Sequence, residues 1–259
     1  MIQSRDILSN LSRSDLSEFL RKGGLPLFAF DFDGTLAEII DDPSSAMITP
    51  RVFESLQSLG TKVPVVVLTG RSVEDVRSRL PKTITTIVGS HGFEGHPLVS
   101  QNDLDTAFTL TRLWIEILLK ITSKLGKRNR VWIEDKKYSL CVHYREKKTA
   151  PLLPELIAQI RGLVPEARLV LGKRVVNLVP KGMPNKLDAL RHLMQFLSRD
   201  KAFFIGDDVT DEVVFSDKSP EIFSVKVGFD SDLSAAYYLH KQDDIEVLLE
   251  FFHSVLSAS

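Results

Sequence analysis

FAFDFDGTLAEIIDD, Phe28 to Asp42, runs from apolar residues straight into two aspartates one residue apart, then glycine and threonine, before turning apolar again. A single acidic turn after a buried strand is commonplace and by itself carries no chemistry. Residues two apart in an extended chain point the same way, so Asp31 and Asp33 can face one centre. Whether they do depends on what closes the other apolar runs of the chain.

Four further runs read as strands covered on both faces: VPVVVL (63 to 68), TTIVGS (85 to 90), KAFFIG (201 to 206) and FSVKVG (223 to 228), beside LPLFAF (25 to 30). Amphipathic helical stretches alternate with them at TPRVFESLQSLG, SVEDVRSRL, NKLDALRHLMQFL and DDIEVLLEFFHSVL. Strand and helix in alternation predict an α/β fold with a Rossmann-like parallel sheet. The middle departs from this pattern. A long amphipathic helix, about Leu104 to Leu125, leads into RVWIEDKKYSLCVHYRE, then a second helix in LLPELIAQIRGLV and the strand pair ARLVL and KRVVNLV. That order predicts an inserted α+β domain, an antiparallel sheet with two helices on one face, over 98–176. The core is then expected over 1–97 and 177–259, with the insertion above the carboxyl ends of its strands.

The chain has 259 residues, with Lys+Arg 33 against Asp+Glu 34, so nothing marks a nucleic-acid footprint or a membrane-seeking basic face. No apolar run approaches the roughly 18 residues of a membrane span, and the opening MIQSRDILSNLSRSDLSEFL lacks a charged segment followed by a long apolar one. The lone Cys141 excludes an internal disulfide and a cysteine-based zinc cluster. The expectation is a cytoplasmic protein whose partner is a small soluble molecule.

In open α/β sheets, ligands bind beyond the carboxyl ends of the strands. Four inferred strands end there in polar groups: Asp31 and Asp33, then Thr69-Gly70-Arg71, then Ser90-His91-Gly92, then Gly206-Asp207-Asp208. Independent turns have no reason to gather carboxylates, a hydroxyl and glycines at one edge. Carboxylates so close repel unless a cation sits among them. Oxygen-only ligands favour a hard ion such as Mg²⁺, which is typically held by one or two carboxylates together with substrate phosphate. An EF-hand is the rival for DFDG, but its sixth position, which needs glycine, falls on Leu36.

DFDGTL, LTGRS, the lysine of NKLDAL and GDDVTDE resemble, in order, the four motifs of the haloacid-dehalogenase superfamily of aspartate-nucleophile phosphatases. DDPSSA, VGSHGFE, IEDKKYSLCVHYR and VKVG are similar to the pattern of trehalose-6-phosphate phosphatases, and the likeness runs from about Leu25 to Phe252. The resemblance implies a haloacid-dehalogenase-type core and a specificity cap. It makes Asp31 the nucleophile and Asp33 the acid and base, with Thr69 the hydroxyl donor to a phosphoryl oxygen and Lys186 the cation that neutralises developing charge. Gly70 and Arg71 fall on the substrate side of the second motif. Mg²⁺ would be held by Asp31, by Asp207 and by the carbonyl of Asp33, with Asp208 and Asp211 in close support. Asp211 equally fits an acid favoured by a helix first turn. Lys181 competes with Lys186, which is preferred because it opens a helix. Leu187 stands where that family usually has glycine.

In the insertion, alternation sets Tyr138, Leu140, Val142 and Tyr144 on one face of YSLCVHYR, and Ser139, Cys141, His143 and Arg145 on the other. The first face is expected to meet the insertion helices and the second to look toward a sugar. His143 and Arg145 on that polar face are expected to contact the sugar, and by resemblance Glu134 and Lys136 belong to the set that reads it. Asn177 stands where the family commonly carries a glutamate, and it offers a hydroxyl one acceptor and a donor. His91 fits either ligand contact or a turn role, and Trp114 and Trp132 are expected to pack inside the insertion. The implied activity is Mg²⁺-dependent hydrolysis of trehalose 6-phosphate through an aspartyl-phosphate. The alternatives are a phosphatase for another disaccharide or glycoside phosphate, of the sucrose-phosphate or mannosyl-glycerate type, a phosphoryl-transferring mutase, and a non-catalytic sugar-phosphate sensor.

Overall fold

The computed structural model describes residues 4–40, 42–124, 131–144, 153–172, 175–229 and 234–257. The chain divides into two compact units, Met1–Pro97 with Asn185–Ser259, and Leu98–Pro184. The first unit opens with β1 (Arg5–Asp6), α1 (Asn10–Arg21), β2 (Leu27–Phe30), α2 (Pro50–Gly60), β3 (Val65–Leu68), α3 (Val73–Arg77) and β4 (Thr86–Val88). The second holds α4 (Gln101–Lys124), β5 (Val131–Asp135), β6 (Leu140–Tyr144), α5 (Leu153–Leu163), β7 (Ala167–Gly172) and β8 (Val175–Pro180). The first unit resumes with α6 (Lys186–Phe196), β9 (Ala202–Gly206), α7 (Glu212–Phe215), β10 (Ile222–Val227), β11 (Tyr237–Leu239) and α8 (Ile245–Ser257).

The first unit is built on a seven-stranded sheet in the order β1-β11-β10-β9-β2-β3-β4, and its strand pairs run parallel. Every residue of β2, β3 and β9 is buried because side chains leave the two faces alternately and both faces are covered. Phe28, Phe30, Val65, Val67, Phe203 and Ile205 pack with Leu16 of α1, Val52 and Leu56 of α2, and Leu248, Leu249 and Phe252 of α8. Leu27, Ala29, Val66, Leu68, Ala202 and Phe204 pack with Ala189, Leu190 and Leu193 of α6 and with Phe215 of α7. The edge strand β1 and its neighbour β11, two and three residues long, are too short to leave a periodic trace in the sequence.

The second unit is a four-stranded antiparallel sheet, β5-β6-β8-β7. Leu140, Val142, Val176 and Leu178 turn one sheet face onto Trp114, Leu118 and Ile121 of α4 and Leu156 and Ile160 of α5. The return to the first unit comes at Asn185, later than the 177 expected. The reason is that β8 pairs with both β6 and β7, so Asn177 belongs to the middle of the inserted sheet. Among the described residues no helix is long and apolar enough to cross a membrane.

Candidate active site

The carboxyl ends of β2, β3 and β9 and the amino end of α6 deliver the polar groups of the first unit. Asp31 prolongs β2, its N–H on the Ile205 carbonyl at 2.9 Å. Asn185 caps α6 by accepting from the N–H groups of Leu187 (2.8 Å) and Asp188 (3.1 Å), while Asp188 accepts from the Asn185 N–H at 2.9 Å. That reciprocal cap sets Lys186 as the first helical residue and aims its side chain inward. Leu187 packs against the core in the same capped turn, so a side chain is accommodated where the family pattern has glycine. Lys181, the competing lysine, lies exposed in the other unit.

Lys186 is 1 % exposed, and its Nζ donates to Asp31 Oδ1 at 2.7 Å and to Asp211 Oδ1 at 2.6 Å. Asp31, Asp207 and Asp211 each offer a carboxylate oxygen within 4.8 Å of the others. Of the two acids expected in close support, Asp211 is the one that joins Asp31 and Asp207. Asp208 starts a 3-10 turn, Val209–Asp211, and its backbone N–H holds Asp211 Oδ2 at 3.0 Å. Burial pushes the Asp31 carboxyl well above the ordinary range, with Asp211 and Asp207 adding to the rise and Lys186 opposing it. Burial likewise raises Asp211. Burial alone would lower the Lys186 ammonium, but Asp211 and Asp31 outweigh it and hold the group above the usual lysine value. Three acids against one lysine leave an excess of negative charge, and the all-oxygen donor set fits a hard divalent cation such as Mg²⁺. Two glycines make room for the cluster. A Cβ on Gly34, whose φ is +74°, would lie 2.3 Å from Asp207 Oδ2, and one on Gly206 would lie 2.4 Å from Asp211 Oδ2.

The Asp33 side chain is held by Arg71. Arg71 Nε donates to Asp33 Oδ2 at 2.7 Å and Arg71 Nη2 to Asp33 Oδ1 at 2.6 Å. The same guanidinium also donates to Asp75 Oδ2 (2.7 Å) and the Pro43 carbonyl (2.7 Å) and lies over the Phe32 ring, 5.4 Å from its centroid. Arg71 is thus a buried brace for Asp33. Arg79 continues the chain, bonding Asp75 Oδ1 through Nη2 at 2.6 Å. Asp75 and Arg79 were missed in the sequence, although Arg71, Asp75 and Arg79 stand four apart, the spacing of one helix face. Thr69 is fully buried, and its Oγ1 accepts from the Arg71 N–H at 3.1 Å, which leaves the hydroxyl proton to be donated. Gly70 has a packing reason, since a Cβ there would meet His91 Cε1 at 2.5 Å. His91 is buried with a φ of 62° in the turn after β4, its N–H on the Thr69 carbonyl at 2.9 Å.

In the second unit, the sheet face turned away from the helices carries Trp132, Glu134, Cys141, His143 and Asn177 in register. His143 Nε2 lies 2.7 Å from Glu134 Oε2. Asn177 is buried, and its amide accepts from Cys141 Sγ at 2.9 Å and donates to the Val170 carbonyl at 3.2 Å. It ties β8 to β6 and β7. Burial pushes the Cys141 thiol up to about 11, with Lys136 beside it. Glu134, Cys141 and His143 have ligand atoms within 4.8 Å of one another, but the Lys136 ammonium at the sulfur works against a cation there. Arg145 lies outside the described residues. Trp114 is buried as expected, whereas Trp132 is not: it sits on the helix-free face, 39 % exposed.

A parallel sheet that gathers acids at its carboxyl edge, interrupted by an α+β insertion, defines an α/β core of the haloacid-dehalogenase fold. The Candida albicans trehalose-6-phosphate phosphatase C-terminal domain shares the fold at a TM-score of 0.76 and 19 % identity, over 99 % of this chain and 99 % of that one. A trehalose-6-phosphate phosphatase related protein shares it at 0.70 and 22 %, over 90 % of this chain and 99 % of that one. In sequence, residues 29–242 match the trehalose-phosphatase family, and the chain belongs to that family. A trehalose-phosphate phosphatase of Mycobacterium marinum is 30 % identical over 240 residues, 90 % of this chain and 60 % of the relative. Trehalose-phosphate phosphatase B of Arabidopsis thaliana is 28 % identical over 249 residues, 88 % of this chain and 66 % of the relative. The chain thus spans about 60 % of the length of the first of these curated relatives.

Proposed function

We infer that the chain hydrolyses trehalose 6-phosphate to trehalose and inorganic phosphate, with the first unit carrying the phosphoryl chemistry and the second acting as a cap that reads the sugar. The observation that carries this reading is the buried contact of Lys186 with Asp31 beside Asp207 and Asp211, in a chain of the trehalose-phosphatase family. Phosphate monoesters are among the slowest esters to hydrolyse in water, and a covalent intermediate divides the barrier into two smaller ones.

Asp31 attacks phosphorus in line, the bond from phosphorus to the sugar oxygen breaks, and Asp33 protonates the departing oxygen. A water then attacks the aspartyl-phosphate while Asp33 takes its proton, which releases phosphate and restores Asp31. Lys186 and the Thr69 hydroxyl stabilise charge on the transferring group from positions fixed before substrate arrives. The side chains of Asp31 and Asp207 and the Asp33 carbonyl would hold Mg²⁺, which when bound would supply the charge neutralisation that lets a phosphate dianion approach a carboxylate. Glu134, Lys136 and His143 supply polar contacts to the sugar. A second reading, a phosphatase for a different glycoside phosphate, is favoured by Asn177, which stands in place of the family glutamate and is buried.

Phosphate release from a panel of sugar phosphates, with and without Mg²⁺, tests the proposal. Trehalose 6-phosphate is expected to give the highest kcat/KM and to depend on the metal; a preference for a monosaccharide phosphate refutes the substrate. Asp31→Asn is expected to abolish turnover while circular dichroism stays unchanged, and residual turnover would remove Asp31 as nucleophile.

A further inference from the structure

Both carboxylate oxygens of Asp75 are committed to arginines. Oδ2 accepts from Arg71 Nη1 at 2.7 Å, and Oδ1 accepts from Arg79 Nη2 at 2.6 Å and Nε at 3.2 Å. Arg71 turns its Nε and Nη2 to the two oxygens of Asp33. Each guanidinium also holds one carbonyl of the segment that follows the acidic loop: Arg71 Nη2 donates to Pro43 at 2.7 Å and Arg79 Nη1 to Ala46 at 2.6 Å. Pro43 and Ala46 belong to DDPSSA, a stretch to which the phosphoryl chemistry gives no direct part. Both arginines are buried, and the two acids, Asp33 and Asp75, balance them in charge.

A guanidinium is planar with its donors fixed in a fork, so holding one prong sets the direction of the others. By taking Nη1, Asp75 sets the plane in which Arg71 presents Nε and Nη2 to Asp33. Without the Asp75 charge, two buried cations would face one carboxylate, an arrangement that uncompensated charge makes costly. Arg71 could then turn toward solvent, loosening Asp33 and the Pro43 carbonyl together, and Arg79 would lose the acid that aims it at Ala46. We propose that Asp75 is a positioning residue: through Arg71 it orients Asp33, and through Arg71 and Arg79 it locks residues 43–46, so that the acid and the segment after it are set as one piece. The proposal rests on the reading of Asp33 as acid and base, and it gives that reading a support and DDPSSA a role.

The test compares the full chain carrying Asp75→Asn, Arg71→Lys and the two combined. Asp75→Asn keeps the size of the side chain and removes its charge. It is expected to lower kcat for trehalose 6-phosphate about tenfold, inside the roughly 10²-fold that a misplacement of about 1 Å can cost, with KM little changed. Because the effect travels through Arg71, the combined variant should keep the kcat of Arg71→Lys to within about twofold, whereas independent sites multiply their losses. Hydrogen exchange reads the lock without turnover: the amides of Ser44 to Met47 should exchange faster in Asp75→Asn while those of β2 and β3 keep their rates. Arg79→Lys, which cannot make the two-pronged contact to Asp75, should show the same exchange pattern, and it decides the lock should Asp75→Asn fail to fold. An unchanged kcat, a raised KM with kcat held, losses that multiply in the combined variant, or exchange at 44–47 that is unchanged or rises only with the whole unit would overturn the proposal. Asp33→Asn in the same assay tests the underlying reading by itself. Full turnover there removes Asp33 from proton transfer, and the exchange measurement still decides the lock.

Discussion

Lys186 shows most directly how one side chain holds this site together. Its ammonium is fully buried, and it stays charged because two carboxylates touch it at 2.7 and 2.6 Å. Removing one partner of a buried ion pair leaves the other charge uncompensated, which costs about 3–5 kcal/mol. Lys186→Ala is therefore expected to lower unfolding stability by about that amount in urea at neutral pH. A loss below about 1 kcal/mol, the range of an exposed pair, would show that Asp31 and Asp211 are solvated in the native state. The glycine of DFDG carries a related lesson. It reads as a turn former in sequence, yet its missing Cβ is required by Asp207, which arrives from a distant strand.

The short helix α3 acts as a unit with the arginine that precedes it. Ser72 caps it by accepting from the Asp75 N–H at 3.2 Å, which fixes Asp75 between Arg71 and Arg79. Burial would raise the Asp75 carboxyl, but hydrogen bonds from Arg71 and Arg79 outweigh it and hold it below the ordinary range. Alternating charges thus run from Arg79 through Asp75 and Arg71 to both oxygens of Asp33. If Asp33 delivers a proton to the leaving group, its orientation depends on Arg71, and general acid catalysis contributes about 10²- to 10⁴-fold. Arg71→Lys, which cannot make the two-pronged contact, is expected to lower kcat for trehalose 6-phosphate by about 10- to 100-fold, within that range. With 4-nitrophenyl phosphate, whose leaving group departs without a proton, the loss should be several times smaller. Equal losses on the two substrates would assign Arg71 to general folding. The helix was expected from its pattern, but the partner of Arg71 was not, because the contact to Asp33 joins two different strand ends.

For the molecule as a whole, each unit has its own apolar core, and the acidic centre belongs to the first. Burial raises the folded-state values of Asp31 and Asp211 above their unfolded ones. In metal-free protein their contribution to stability is therefore present at acid pH, below the unfolded values, and is lost as pH rises through the folded values. A cation bound to the native state alone stabilises by mass action, about 2.7 kcal/mol at a hundred times Kd. Mg²⁺ is expected to raise Tm in proportion to the logarithm of its concentration, more at about pH 8 than at about pH 5.5, since protons compete for the ligands. EDTA should reverse the shift, and Asp207→Asn should diminish it. A Tm indifferent to Mg²⁺ at both pH values would count against the metal site.

The layered core was legible in the chain because both-face burial of β2, β3 and β9 demands unbroken apolar runs, and a run that must end at the sheet edge leaves its polar successors there. For the same reason the sequence by itself places Asp31, Thr69 and Asp207 at one sheet edge. The pattern of β6 likewise sorted its side chains onto two faces, since the period of a strand is local. Partner choice has no such period. That Asp211 rather than Asp208 joins the acids, that Arg71 holds Asp33, that Asn177 is tied inside the sheet, and that Trp132 lies flat on His143 all follow from contacts between segments remote in sequence. Packing settled those contacts, because it alone brings the segments within hydrogen-bonding or stacking distance.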